Sequence, residues 1–251
     1  MARSTIVLAL ALTLTGCVDV WGDWNDCSVT EPREASLDAT GATRLEIVAG
    51  AGSLEVHGRD GAGRAEIRGT ACASDAERLA GIELVAERRG DTLFVETVFA
   101  EDVDGQRRLA LVIEVPASLA VTIEDGSGAI EVSGVAAVTI DDGSGAIDVR
   151  QIAGDVAIED GSGAITLSGI GGDVRIDDGS GGIDVADVRG DVLIEEDGSG
   201  GIEIRGVGGS VTIGEDGSGG ILVRDVRGDF TLHRDGSGSV DVQADGRVTL
   251  P

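Results

Sequence analysis

Seven copies of Asp-Gly-Ser-Gly hold the densest set of side chains that could do chemistry. Their acids are Asp125, Asp142, Asp160, Asp178, Asp197, Asp216 and Asp235. Six of them follow another acid: Glu124, Asp141, Glu159, Asp177, Glu196 and Glu215. Clustered carboxylate oxygens suit a hard divalent cation such as Ca²⁺, so these seven Asp are candidate metal ligands. The alternative is a solvated acidic edge that keeps the chain soluble and blocks lateral aggregation. The Gly-Gly-x-Gly-x-Asp spacing of calcium-binding nonapeptide repeats is absent.

The Ser of each tetrapeptide (Ser127, Ser144, Ser162, Ser180, Ser199, Ser218, Ser237) has no neighbouring His to activate it. Only His57 and His233 exist, each beside charged residues, as expected of surface imidazoles. Neither a Gly-x-Ser-x-Gly elbow, a His-Glu-x-x-His pair nor a phosphate-binding Gly-Lys loop is present. All 19 basic residues are Arg, which leaves no Lys base or Schiff base. Paired acids can cleave glycosides. However, sugar platforms want aromatic rings, and residues 121–251 contain just Phe230. The chain therefore reads as a non-enzyme, with a polysaccharide-acting β-helix as the lesser alternative.

Cysteine chemistry points to an envelope compartment. Arg3, an apolar run from Thr5 to Leu14, and then Leu14-Thr15-Gly16-Cys17 form an export signal with a small residue before Cys. This resembles a bacterial lipobox, which implies cleavage after residue 16 and acylation of Cys17. The mature protein would then be anchored in a membrane by lipid. Val18 rather than Asp follows, which by the same resemblance favours the outer membrane. Cys27 and Cys72 remain, and two Cys in an oxidising compartment are expected to pair. Residues 17–36, with Trp21, Trp24 and Pro32, read as a lipidated tether.

The elements that must position these groups follow from the period. The tetrapeptides recur at spacings of 17, 18, 18, 19, 19 and 19 residues, the signature of a solenoid. Between them, apolar residues alternate with polar ones: Ile130-Glu131-Val132, then Val138-Thr139-Ile140, with Val135 between. Period-two alternation with β-branched residues means short strands with one face inward. Each unit is thus two strands and two turns, too short for helical crossovers. The fold predicted for 121–251 is an all-β, single-stranded parallel β-helix. At ~4.8 Å per coil its seven coils stack to about 35 Å. Length changes fall in the turns, first after Val132 and later before the Asp, so the core register is kept.

Residues 37–120 carry further strand patterns, such as Leu45-Glu46-Ile47 and Leu109-Ala110-Leu111. Their spacing is looser. Because a solenoid end must be closed against edge pairing, they are expected to form a cap and wider first coils. Ser74 to Leu79 reads as one helical turn capped by Ser74. The chain has 251 residues and a formal charge of −27. That charge argues against nucleic-acid partners, since nothing offers phosphate a basic stripe.

The run Leu109-Ala110-Leu111-Val112-Ile113-Glu114-Val115-Pro116, then Leu119-Ala120-Val121, then repeated Gly-Ser-Gly-x-Ile-x-Val with Gly-Asp-Val, resembles the adhesin-like β-solenoid family of bacterial envelope proteins. The likeness spans about residues 40 to 250. It implies a scaffold for envelope protein or glycan contacts and brings no catalytic residues. This copy departs from the pattern in the acidity of its turns.

Overall fold

The computed structural model describes residues 27–100 and 106–251. The export signal, Cys17, Trp21 and Trp24 lie outside the described residues. Among those described, strands make up two long sheets with a single short helix.

The N-terminal elements are β1 (Val29–Asp38), β2 (Arg44–Val48), β3 (Leu54–Arg59), β4 (Arg64–Ala73), α1 (Ala76–Ala80), β5 (Ile82–Arg89), β6 (Thr92–Phe99) and β7 (Arg107–Pro116). Seven regular coils follow, each a strand, turn one, a second strand and turn two. They are β8 (Ala120–Asp125) with β9 (Ile130–Ser133), β10 (Ala137–Asp142) with β11 (Ile147–Ile152), β12 (Val156–Asp160) with β13 (Gly163–Ile170) and β14 (Val174–Asp178) with β15 (Gly181–Val188). The last three are β16 (Val192–Asp197) with β17 (Ile202–Val207), β18 (Val211–Asp216) with β19 (Ile221–Val226) and β20 (Phe230–Asp235) with β21 (Val240–Ala244). β22 (Val248–Thr249) ends the second sheet.

The regular coils pair in parallel and in register, so like residues stack on like. Val121, Val138, Val156, Val174, Val192, Val211 and Phe230 form one inner column. Ile130, Ile147, Ile165, Ile183, Ile202 and Ile221 form another on the facing sheet. All are buried, and each full burial of such a side chain contributes about 1.5–3 kcal/mol. The extra residue of the longer coils is a bulge. Ile176 pairs with Ile194 and Asp178 with Asp197, so the added Glu is absorbed between them and the inner columns stay aligned.

The second Gly of the tetrapeptide is dictated by coil spacing. Gly181 sits at φ +154°, and a Cβ there would lie 1.4 Å from the carbonyl oxygen of Gly163 in the coil before. Only glycine permits that backbone and that approach.

The N-terminal part forms a cap, but with an order no periodicity reveals. β2 and β3 make one coil that is inserted between β6–β7 on one side and β8–β9 on the other. Beyond β6 and β7 the pairing turns antiparallel: β4 against β7, β1 against β4, and β5 against β6. Antiparallel strands thus close this end. Residues 29–36, expected in the tether, belong instead to edge strand β1, where Pro32 is tolerated. Cys27 and Cys72 are bonded, with Cα atoms 5.7 Å apart, just ahead of that strand. The helix cap also differs from expectation. Asp75, not Ser74, accepts the Arg78 N–H at 3.0 Å, and its charge additionally favours the helix N-terminus.

Candidate functional site

Two edges of the solenoid carry the polar residues that recur with the coils. At turn one, the alternation Val121, Ile123, Asp125 puts the acid on the inward side of its strand, and the later coils repeat this. The registers then stack Asp125, Asp142, Asp160, Asp178, Asp197, Asp216 and Asp235 in one column. Six of these are buried, from 8 % exposed at Asp125 down to 0 % at Asp197; Asp235, in the last full coil, is exposed. The alternative of a solvated acidic edge therefore fails for six of the seven. Water is excluded because the strand parity that buries Val and Ile buries the Asp as well.

The backbone satisfies part of this column. The N–H groups of Ser144, Ser162 and Ser180 donate to one oxygen of Asp142, Asp160 and Asp178 at 3.1–3.2 Å. This is the local Asx turn for which Asp-Gly-Ser is suited. The other oxygen of each has no partner, and neither oxygen of Asp125, Asp197 or Asp216 has one. Burial pushes the Asp125 carboxyl up to about 7, helped by Asp142. It does the same for Asp160, to about 6, and Asp197, to about 7, with their ladder neighbours adding repulsion. Asp142, Asp178 and Asp216 are raised as well, chiefly by burial. Among the described residues no three His, Cys, Asp or Glu side chains converge as metal ligands.

At turn two, a second Asp series ties coil to coil. The Asp173 N–H donates to Asp155 Oδ1 at 2.9 Å and the Asp191 N–H to Asp173 Oδ1 at 2.9 Å. The Ser210 N–H continues to Asp191 Oδ1 at 2.7 Å. These carboxylates are exposed and act as clips between successive backbones. The Gly-Asp pairs mark the turn in the sequence, but this inter-coil bonding is not legible there.

Alongside runs an open groove lined by Gln151, Asp187, Arg189, Asp225 and Arg227. It has a two-coil rhythm. Gln151, Asp187 and Asp225 hold φ near +55°, and the intervening coils place Gly134, Gly169 and Gly206 at φ near +70°. Side chains therefore project from every second coil, about 10 Å apart at the strand spacing, with glycine notches between. Five of the eight Arg in 121–251 (Arg150, Arg175, Arg205, Arg224, Arg234) pair with acids. Arg189 and Arg227 make no ion pair among the described residues, though the chain carries 46 acids. His57 lies apart, its Nδ1 3.0 Å from Ser133 Oγ, and His233 is exposed. His57 thus contacts a hydroxyl on one ring nitrogen and, at 3.4 Å from Nε2, the Glu55 Oε2 on the other.

Strand pairing and the unbroken inner columns make this a parallel β-solenoid with a capped N-terminal end. No protein-family model matches the chain, and no curated protein matches it. Solved structures do. A "putative adhesin" from Parabacteroides distasonis is 12 % identical, covering 88 % of this chain and 96 % of its own, at a TM-score of 0.46. A "putative lipid binding protein" from the same organism is 17 % identical, with coverages of 88 % and 96 % and a TM-score of 0.45. A "putative cell adhesion protein" from Clostridium sporogenes is 14 % identical, covering 85 % and 100 %, at 0.33. At these scores the superpositions carry no argument about activity, and the fold rests on the strand registers themselves.

Proposed function

We propose that this chain is a non-enzymatic, lipid-anchored protein of the bacterial cell envelope. Its solenoid serves as an adhesin-like scaffold for protein or glycan contacts. The groove along turn two carries the reading: its lining spans several coils, repeats every second coil, and holds two Arg that have no acidic partner among the described residues. A repeating edge fits an extended partner better than a compact substrate. The solenoid core is uniform beneath it, which suits display and gives no catalytic cleft. Anchoring rests on Cys17 and the residues before it, with the outer membrane as the destination. Among the described residues no helix is long and apolar enough to cross a membrane.

The test is retention of envelope glycans and envelope proteins on the immobilised chain, beside the Arg189→Ala, Arg227→Ala double variant. Saturable binding that the double variant loses, with its melting midpoint unchanged, supports the scaffold. Equal retention by both proteins removes the groove from the reading. For the anchor, cells fed an alkyne-bearing fatty acid should label the wild-type chain and not Cys17→Ala. Equal labelling of the two would end the lipoprotein assignment.

A further inference from the structure

The Asp column of turn one is expensive as it stands. Six carboxyls are buried, stacked in register, and short of hydrogen-bond partners. Ionised together, they would be an uncompensated line of charge in the core. Something must neutralise it. No Arg or His is among the groups acting on any of the six. The titratable groups facing each carboxyl are acids. Asp125 meets Asp142, Asp160 meets Asp142 and Asp178, and Asp197 meets Asp178 and Asp216. Asp141 adjoins Asp142, Asp177 adjoins Asp178, and Asp216 meets Asp235 beyond it. On the facing sheet the inward residues are Ile, Val and Leu167. In the inserted coil the place of the Asp falls to Ala49, one residue after the Val48–Glu124 pair, so the column stops there.

Two fillings are chemically possible, protons or cations. A hard cation wants six to eight oxygens. Here each carboxyl meets its ladder neighbours, and one oxygen of three members is already held by a Ser N–H. Successive carboxyls are stacked in register at the strand spacing of about 4.8 Å, and among the described residues no three His, Cys, Asp or Glu side chains converge as metal ligands. Contact between two carboxyl oxygens is attractive only when a proton sits between them.

We propose that the Asp column is a proton ladder, in which neighbouring carboxyls share protons along the turn-one corner, so that the solenoid is stabilised as its surroundings acidify. This goes beyond the scaffold reading and stands whether or not a partner is found. The sign follows from linkage. The folded carboxyls titrate above their ordinary 3.8, with Asp125 and Asp197 near 7. The folded state therefore holds protons that the unfolded chain has released. Stability gained this way is complete below about pH 4 and is lost as pH rises through about 6 to 7.

The experiment melts the full chain at pH 5 and pH 8, in EDTA, and then at pH 8 with millimolar Ca²⁺. All arms contain 0.5 M NaCl, which screens the repulsion of the exposed acids but not that of buried ones. The Asp197→Asn, Asp216→Asn double variant is run alongside. The expected result is a midpoint higher at pH 5 by at least about 4 °C. The double variant should show a smaller pH effect and a raised midpoint at pH 8. Infrared spectra of the wild-type chain should show protonated carboxyl at pH 6 that disappears by pH 9, a readout that survives if the variant fails to fold. A midpoint that falls on acidification, or no protonated carboxyl at pH 6, overturns the proposal. So does a Ca²⁺-specific rise at pH 8 that the double variant lacks, which would make the column a cation site.

Discussion

Substituting two adjacent glycines separates backbone necessity from mere smallness. Gly181 and Gly182 both follow Ser180 in the fourth regular coil. At Gly181 a Cβ would meet the Gly163 carbonyl oxygen at 1.4 Å, with φ at +154°. At Gly182 the nearest atom to a new Cβ is the Gly201 oxygen at 4.0 Å. Ala already occupies the equivalent place in earlier coils, at Ala129, Ala146 and Ala164. For Gly181→Ala the cost combines a glycine-only backbone region, about 1–3 kcal/mol, with an overpacked contact of similar size. The expected loss is ~2–6 kcal/mol, a large share of the 5–15 kcal/mol typical of a folded domain. Gly182→Ala should be neutral or stabilising by about 0.4–1 kcal/mol, since it only restricts the unfolded chain. Urea denaturation followed by circular dichroism measures both. If the two variants agree within about 1 kcal/mol, the argument that coil spacing dictates the second turn glycine is wrong.

Three further outcomes follow from the same geometry. Reducing the Cys27–Cys72 bond, which closes a span of 45 residues, should lower stability by up to about 4 kcal/mol on the loop-entropy relation; a thermal melt with and without reductant reads it. Ile194→Ala empties a fully buried place in the inner column and should cost about 2–5 kcal/mol in urea denaturation, whereas Leu193→Ala on the outward side of the same strand should cost far less. Asp173→Ala removes the oxygen that accepts the Asp191 N–H and should cost about 1 kcal/mol, while Asp173→Asn keeps the acceptor and should be neutral or slightly stabilising. Hydrogen exchange at the Asp191 amide would report the difference directly.

The regular coils were legible because their period is fixed and their strands alternate strictly. Ile130, Val132, Val138 and Ile140 are inward from parity alone, and the structure buries each of them. Parity also held the clue to the Asp column. Asp125 stands two residues after Ile123 and four after Val121, so it had to point inward with them. Its acidity argued for the surface, and in this fold parity outweighs side-chain preference. The N-terminal cap was less legible for a different reason. Its order depends on which strands meet at a distance, and β2–β3 sits between partners 40 to 80 residues further along. No local pattern encodes such an insertion. β1 was obscured by Pro32 and by its mixed polar sequence, both acceptable on an edge.

The two Asp columns show how one residue type takes opposite roles through position. In turn two, each carboxylate is exposed and accepts a backbone N–H from the next coil, so its charge is solvated while its oxygen is used. In turn one, the carboxyl is inward; three of the six accept a Ser N–H on one oxygen, and the remaining oxygens have no partner. An Asn ladder would satisfy the turn-one corner at any pH, because an amide both donates and accepts. Six Asp can do so only when protons are available. A corner built from Asp therefore ties the cohesion of the coils to the acidity around them, whereas the turn-two carboxylates already have backbone N–H partners. If the groove is the contact surface, it lies on the turn-two side, from Gln151 through Asp187 to Asp225. Acidification would then tighten the scaffold along the turn-one corner, away from the groove.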